Sequence, residues 1–283
     1  VKEIIPHGGN IMHKLSIAAF VVTSSLIVAC SAKSSGSSTS TDSNAGDNSD
    51  ASEAAGSAAQ TSDMEQTLLG SVTSADPASA AGSVAAAQWW PAGCATRTKD
   101  ASNPLVVHVH LESCTGPFGI RKHTGDITVT FSKNADASLH AEATSANMTI
   151  NDKPVTFSAS RDISVAAGII DVKGHAAWTR EDAAGDTVSH TTNVETKIDV
   201  AKKCRTSNGT AVTTVGTREV DSTLTDYEVC RGADGVDECP SGKISHTHKA
   251  TGRTVSVSFD GSNQATVTGP RGGTTEVTLV CGT

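Results

Sequence analysis

With 283 residues, the chain has room for one or two domains, and its 30 acidic against 22 basic residues give a formal net charge of −8. That balance, without a basic cluster, excludes binding to nucleic acid or anionic head groups through displaced counterions. Aromatic residues make up 3%, which leaves no stacking platform for single strands or sugars.

In chain order, Met12-His13-Lys14 supplies a short basic start, and Leu15 to Val28 is an apolar or small run. The run is shorter than the ~20 residues of a spanning helix and has the length of a signal-peptide core. Val1 to Asn10 fits no part of a leader, so Met12 is the expected start. The run ends in Ile27-Val28-Ala29-Cys30. This resembles the lipobox of bacterial lipoproteins, with an aliphatic residue three before the cysteine and a small one directly before it. The resemblance implies cleavage after Ala29, a diacylglycerol thioether and an acyl chain on Cys30, and residence in the cell envelope. Membrane contact would then run through the lipid, at ~0.8 kcal/mol per buried CH₂. Ser31 at the next position resembles the outer-membrane sorting pattern of some Gram-negative lineages, so the outer membrane is expected over the inner.

Residues 30–60 are dominated by Ser, Ala, Gly, Thr, Asp and Asn. Such a composition cannot bury enough apolar surface to offset its ordering entropy, which predicts a flexible tether. A short helical segment is expected over 61–90. Ser62-Asp63-Met64-Glu65 has the pattern of a capping box, and Asp76-Pro77 offers an N-cap and a first-turn proline ahead of an Ala-rich run to Gln88. Pro91 stops the helix, and Trp89-Trp90 reads as a plug packing it onto a sheet.

From Pro104 onward the period changes to two. Leu105, Val107, Val109 and Leu111 alternate with polar residues, as do Ile127, Val129 and Phe131, then Val255, Val257 and Phe259, then Thr275, Val277, Leu279 and Cys281. This predicts half-buried antiparallel strands. Turn signals recur at Asn134-Ala135-Asp136, Asn151-Asp152, Ala184-Gly185-Asp186, Asn208-Gly209, Thr251-Gly252, Asp260-Gly261 and Gly272-Gly273. The expected fold is mainly β (α+β): an antiparallel meander of about ten to thirteen strands over 91–283, forming a curved sheet, barrel or sandwich, with one or two short N-terminal helices.

Seven cysteines leave six once Cys30 carries lipid: Cys94, Cys114, Cys204, Cys230, Cys239 and Cys281. An even set in an exported chain reads as three disulfides, whereas zinc would ask for Cys-x-x-Cys, which is missing. Fifteen pairings are open. Proximity favours Cys94 with Cys114 and Cys230 with Cys239, leaving Cys204 for Cys281.

His108-Val109-His110 and His246-Thr247-His248 each place two imidazoles on one face of a strand. On neighbouring strands they could ligate zinc or copper. The preferred reading is that they stand as ordinary polar strand residues, as the threonines around them do. His108 and His110 oppose the apolar residues and should face solvent, while His246 and His248 share parity with Ile244. Glu181-Asp182 and Asp237-Glu238 read as solvated loop acids, and Asp234 to Glu238 lacks the oxygen spacing of a calcium loop. No nucleophile elbow or phosphate-binding loop occurs, so no catalytic residue is named and no cofactor is required. A curved antiparallel sheet covered by helices is similar in outline to the LolA/LolB type of lipoprotein carrier; no site residue is carried over from it. The expected function is a binding or structural role at the envelope, with a lipid or lipoprotein carrier and a histidine-based metal protein or enzyme as alternatives.

Overall fold

The computed structural model describes residues 50–58, 61, 72, 74–86, 91–115, 122–182, 185–232, 238–279 and 281. The leader, Cys30, the 31–49 part of the tether, the Ser62–Glu65 capping box, Trp89-Trp90 and Asp234 to Asp237 lie outside them.

Thirteen strands form one antiparallel curved sheet, and their order in the sheet is their order in the chain. They are β1 (Ala95–Lys99), β2 (Val106–Thr115), β3 (Lys122–Lys133), β4 (Leu139–Ile150), β5 (Lys153–Ala166), β6 (Ile169–Glu181) and β7 (Thr187–Asp199). The series continues with β8 (Cys204–Val215), β9 (Arg218–Cys230), β10 (Ser241–His248), β11 (Thr254–Asp260), β12 (Gln264–Thr268) and β13 (Thr274–Thr278). Among the described residues β1 and β13 are unpaired edges, so the meander is an open sheet rather than a barrel or sandwich. Both edges are five residues long, a length that offers little ladder for stray pairing.

Alternation fixes the two faces. On the inner face Val107, Val109 and Leu111 of β2 and Ile127, Val129 and Phe131 of β3 are buried, at 1% exposure or less. One inner row crosses the sheet in register: Val107, Val129, Ala143, Ala159, Ala176, Thr192, Ala211, Ser222 and His246. Its middle consists of small residues, which give a covering helix room to approach.

Among the described residues two helices belong to that cover. The first, α1, runs across 50–58. The second, α2 (Pro77–Ala86), lies against β1, β2 and β3, with Ala80, Ala81 and Val84 buried. Its start is as the sequence implies: Pro77 opens it, and the Asp76 carboxylate accepts the Ser79 N–H at 2.8 Å. That bond also holds the Asp76 carboxyl below its ordinary pKa.

The tether expectation is corrected at its C-terminal end. Residues 50–58 are helical, and Asp50, Ala51, Ala54, Ala55 and Ser57 are buried at 5% exposure or less. Composition alone missed this because Ala is the best helix former, so an Ala-rich polar stretch can still fold as a helix. Polar clamps then fix the helix. The Asp50 carboxylate accepts from Arg218 Nε at 3.0 and 3.1 Å and lies 3.2 Å from His248 Nε2. Glu53 pairs with Arg180, and Trp178 Nε1 donates to Thr61 Oγ1 at 3.0 Å.

A second correction concerns Asn208-Gly209, expected as a turn. Both lie inside β8, beside a register shift against β9 between Ser207 and Gly209. The glycine serves close approach: a Cβ there would stand 2.5 Å from the Asn193 carbonyl oxygen. The chain instead reverses before and after β8, at 200–203 and 216–217.

All six predicted cysteines are bridged, as Cys94–Cys114, Cys204–Cys230 and Cys239–Cys281. The expected Cys230–Cys239 and Cys204–Cys281 pairs are wrong. Cys204 and Cys230 are direct partners across the β8–β9 ladder, and pairing them leaves Cys239 to reach Cys281 behind β13. Short sequence distance was a poor guide because the meander places residues at opposite ends of a hairpin side by side.

Candidate functional site

The structure does not bring the four candidate histidines together. His108 and His110 sit on β2 facing outward, with side chains 48% and 56% exposed. His108 Nε2 lies 3.3 Å from Asp100, and His110 Nδ1 lies 2.7 Å from Asp126. His246 and His248 sit on β10, eight strands away in the sheet order and on the inner face. The joint zinc or copper site is therefore not assembled, because one pair points out and the other in. Among the described residues no group of three or more His, Cys, Asp or Glu could hold a metal ion.

Instead, the inner pair joins a buried polar cluster beneath α1. His246 Nδ1 lies 2.8 Å from Ser222 Oγ, and His190 Nδ1 lies 2.8 Å from Thr213 Oγ1. Burial pushes His246 down to about 4, and burial together with His246 pushes His190 down to about 4. Both imidazoles are thus neutral at pH 7 and disfavour the charged form. On the same strand as His246, His248 meets Asp50, which also accepts from Arg218, and the Trp178 ring lies 5.7 Å from that of His190. The cluster reads as a mainly structural interior beside α1, in which the Nδ1 atoms of both histidines have partners while His190 Nε2 and Thr192 Oγ1 are buried without one among the described residues.

The outer face carries a different feature. Across β5, β6, β7 and β8 a groove of about 560 Å³ opens to solvent. One row along it holds Ser160, His175 and Asn193, which are cross-strand partners. The next row holds Asp162, Lys173, Glu195 and Asn208, again in register. Gly174, Val194 and Gly209 lie between the rows. The glycines point their missing side chains to the inner face. At Gly174 the buried Arg161 side chain occupies the space a Cβ would need, and at Gly209 two strands approach closely.

Hydrogen bonds pre-set several of these groups. His175 Nδ1 lies 3.2 Å from Asn193 Oδ1. Asn208 is held at both ends by Asp226, accepting the backbone N–H at 2.8 Å and donating to the carboxylate at 3.2 Å. Asp162 accepts from Asn134 and pairs with His140, each at 2.7 Å. That contact raises His140 and lowers Asp162 relative to their ordinary pKa values. Glu195 lies 3.8 Å from Lys173 and 3.6 Å from Lys197. Both carboxylates of the groove therefore already have partners, most of them in the groove's surroundings.

No family model, curated protein or solved structure matches the chain. No local pattern points to the groove as a site, because His175, Asn193 and Asn208 stand on three separate strands with no shared motif. One sequence signal could have found them. A Gly inside a strand pattern, at Gly174 and Gly209, flags a bulge or close approach.

Proposed function

We propose that this chain is an exported, lipid-anchored envelope protein with a binding role, held at the membrane through Cys30 and working through the outer face of its sheet. The observation that carries the reading is the set of three disulfides. Such bridges persist in oxidising compartments outside the cytoplasm. They use six of the seven cysteines, which leaves Cys30, at the end of the lipobox-like leader, as the one outside the bridges.

The binding role is assigned to the outer face because the inner face over β2 to β6 is already occupied. Val107, Val129, Leu139 and Ala176 are fully buried in the core to which α2 belongs. That packing favours an interaction protein over a carrier with a wide apolar cavity. Ser31 favours delivery to the outer membrane.

The test is acylation. Cys30→Ala should abolish labelling by an alkyne fatty acid and move the protein from the membrane to the soluble fraction. Unchanged labelling and detergent partitioning of that variant would overturn the reading.

A further inference from the structure

We infer that the outer-face groove over β5–β8 is a binding site for an uncharged, hydroxyl-rich ligand, a neutral oligosaccharide; the inference rests on the envelope binding role and assigns it a ligand class. The groove volume, about 560 Å³, lies within the range of small-ligand sites, roughly 300–1,000 Å³. Its lining departs from the usual apolar one. Ser160, His175, Asn193 and Asn208 offer hydroxyl, imidazole and amide groups, which together present the mix of donors and acceptors that sugar hydroxyls need.

The competing ligand classes fail on the same residues. An anion would meet the carboxylates of Asp162 and Glu195, with Lys173 already beside Glu195. A cation is unsuited too: Asp162 is engaged by His140 and Asn134, and Glu195 by two lysines. A lipid tail would have to strip water from this polar lining without replacing its hydrogen bonds. A peptide adding as a strand needs a free ladder edge, yet β5 to β8 are each paired on both sides. A sugar needs none of these. It needs fixed polar groups, and His175–Asn193 and Asn208–Asp226 supply them already oriented, which reduces the ordering cost of binding.

Without an aromatic platform in the groove, recognition runs through hydrogen bonds alone, so affinity is weak and best read by saturation-transfer NMR. Full-length protein in detergent would be presented with cellotetraose, maltotetraose and chitotetraose. A tetragalacturonate serves as the charged arm and tetra-alanine as the peptide arm. At least one neutral tetrasaccharide should show transfer, weakened about tenfold or more by Asn193→Ala and His175→Ala. Both positions are exposed, and an unchanged melting curve verifies the fold. Asn193→Trp, which fills the groove, should abolish transfer, whereas His110→Ala on distant β2 should leave it intact. The inference is overturned by transfer only to tetragalacturonate or tetra-alanine, by no transfer at millimolar concentration, or by transfer indifferent to all groove variants. Cys30→Ala should bind as the parent does. Failed acylation therefore sinks the envelope reading alone, and failed transfer sinks the ligand class alone.

Discussion

The sheet's two ends are stabilised by different means. Over β1 to β8 one continuous core runs from Val84 of α2 through Leu111, Phe131 and Leu139 to Trp178 and Val215. Around β9 to β13 the corresponding cluster has, among the described residues, four buried members, Tyr227, Phe259, Ala265 and Leu279, with Tyr227 and Phe259 meeting edge to face at 5.5 Å. Two of the three disulfides tie that sparse end, one joining β8 to β9 and the other joining Cys239 to Cys281 after β13. The comparison shows how one meander divides its stability. Where large inner side chains pack under α2, buried area suffices; at the sparse end, which α1 meets through the Asp50–Arg218–His248 contacts, covalent bridges restrict the unfolded chain.

The most severe test of this division is a core truncation at the covered end. Leu139→Ala, at a fully buried position, should cost about 2–5 kcal/mol through lost transfer energy and the cavity left behind. Denaturant unfolding measures it, and a cost under about 1 kcal/mol would mean that this end is not held by packing. At the other end, the Cys239→Ala/Cys281→Ala double variant should cost about 2–4 kcal/mol. Hydrogen exchange should accelerate in β10 to β13 while β2 to β6 stay protected. Uniform acceleration would show that the two ends unfold as one unit.

The finest test lies at the seam, where His190 on β7 and His246 on β10 are buried with folded pKa values of about 4 against an ordinary value of about 6.5. Between these values the unfolded chain binds protons that the folded chain refuses. Stability therefore falls as pH drops from 6.5 towards 4, by up to about 1.4 kcal/mol per pH unit for each histidine. His140 runs the other way. Its pKa is raised by Asp162, so its contribution is complete below about 6.5 and fades only as pH climbs through the raised value. His246→Gln keeps a partner for Ser222 and should flatten the acid slope by about 1 kcal/mol per pH unit; an unaltered slope between pH 4 and 6.5 would show that His246 does not titrate there.

Much of this arrangement was legible in the residues. Val107, Val109, Leu111, Ile127, Val129 and Phe131 declared their strands and their buried side, since period two follows directly from the pleat. Asp76-Pro77 announced the start of α2. At β11 the pattern was less clean: Ser256 is buried while Val255 and Val257 are only partly so. What stayed hidden depends on register between distant residues. The Cys204–Cys230 pairing, the Asp50–Arg218–His248 clamp and the meeting of His175 with Asn193 are all set by ladder alignment. No local pattern encodes that alignment. Asn208-Gly209 misled because a dipeptide that commonly turns a hairpin also permits two strands to press together.

The strictly consecutive strand order has a consequence for how such a chain can be acquired and lengthened. Every pairing joins neighbours in sequence, so each hairpin can zip onto the one before it without waiting for a distant segment. By the same token, a duplicated or deleted hairpin shifts the boundary of the sheet by two strands and leaves all other neighbours as they were. A crossover fold would be scrambled by that event. Here it only widens or narrows the fabric, and the five-residue selvedges at β1 and β13 are where the weaving was stopped.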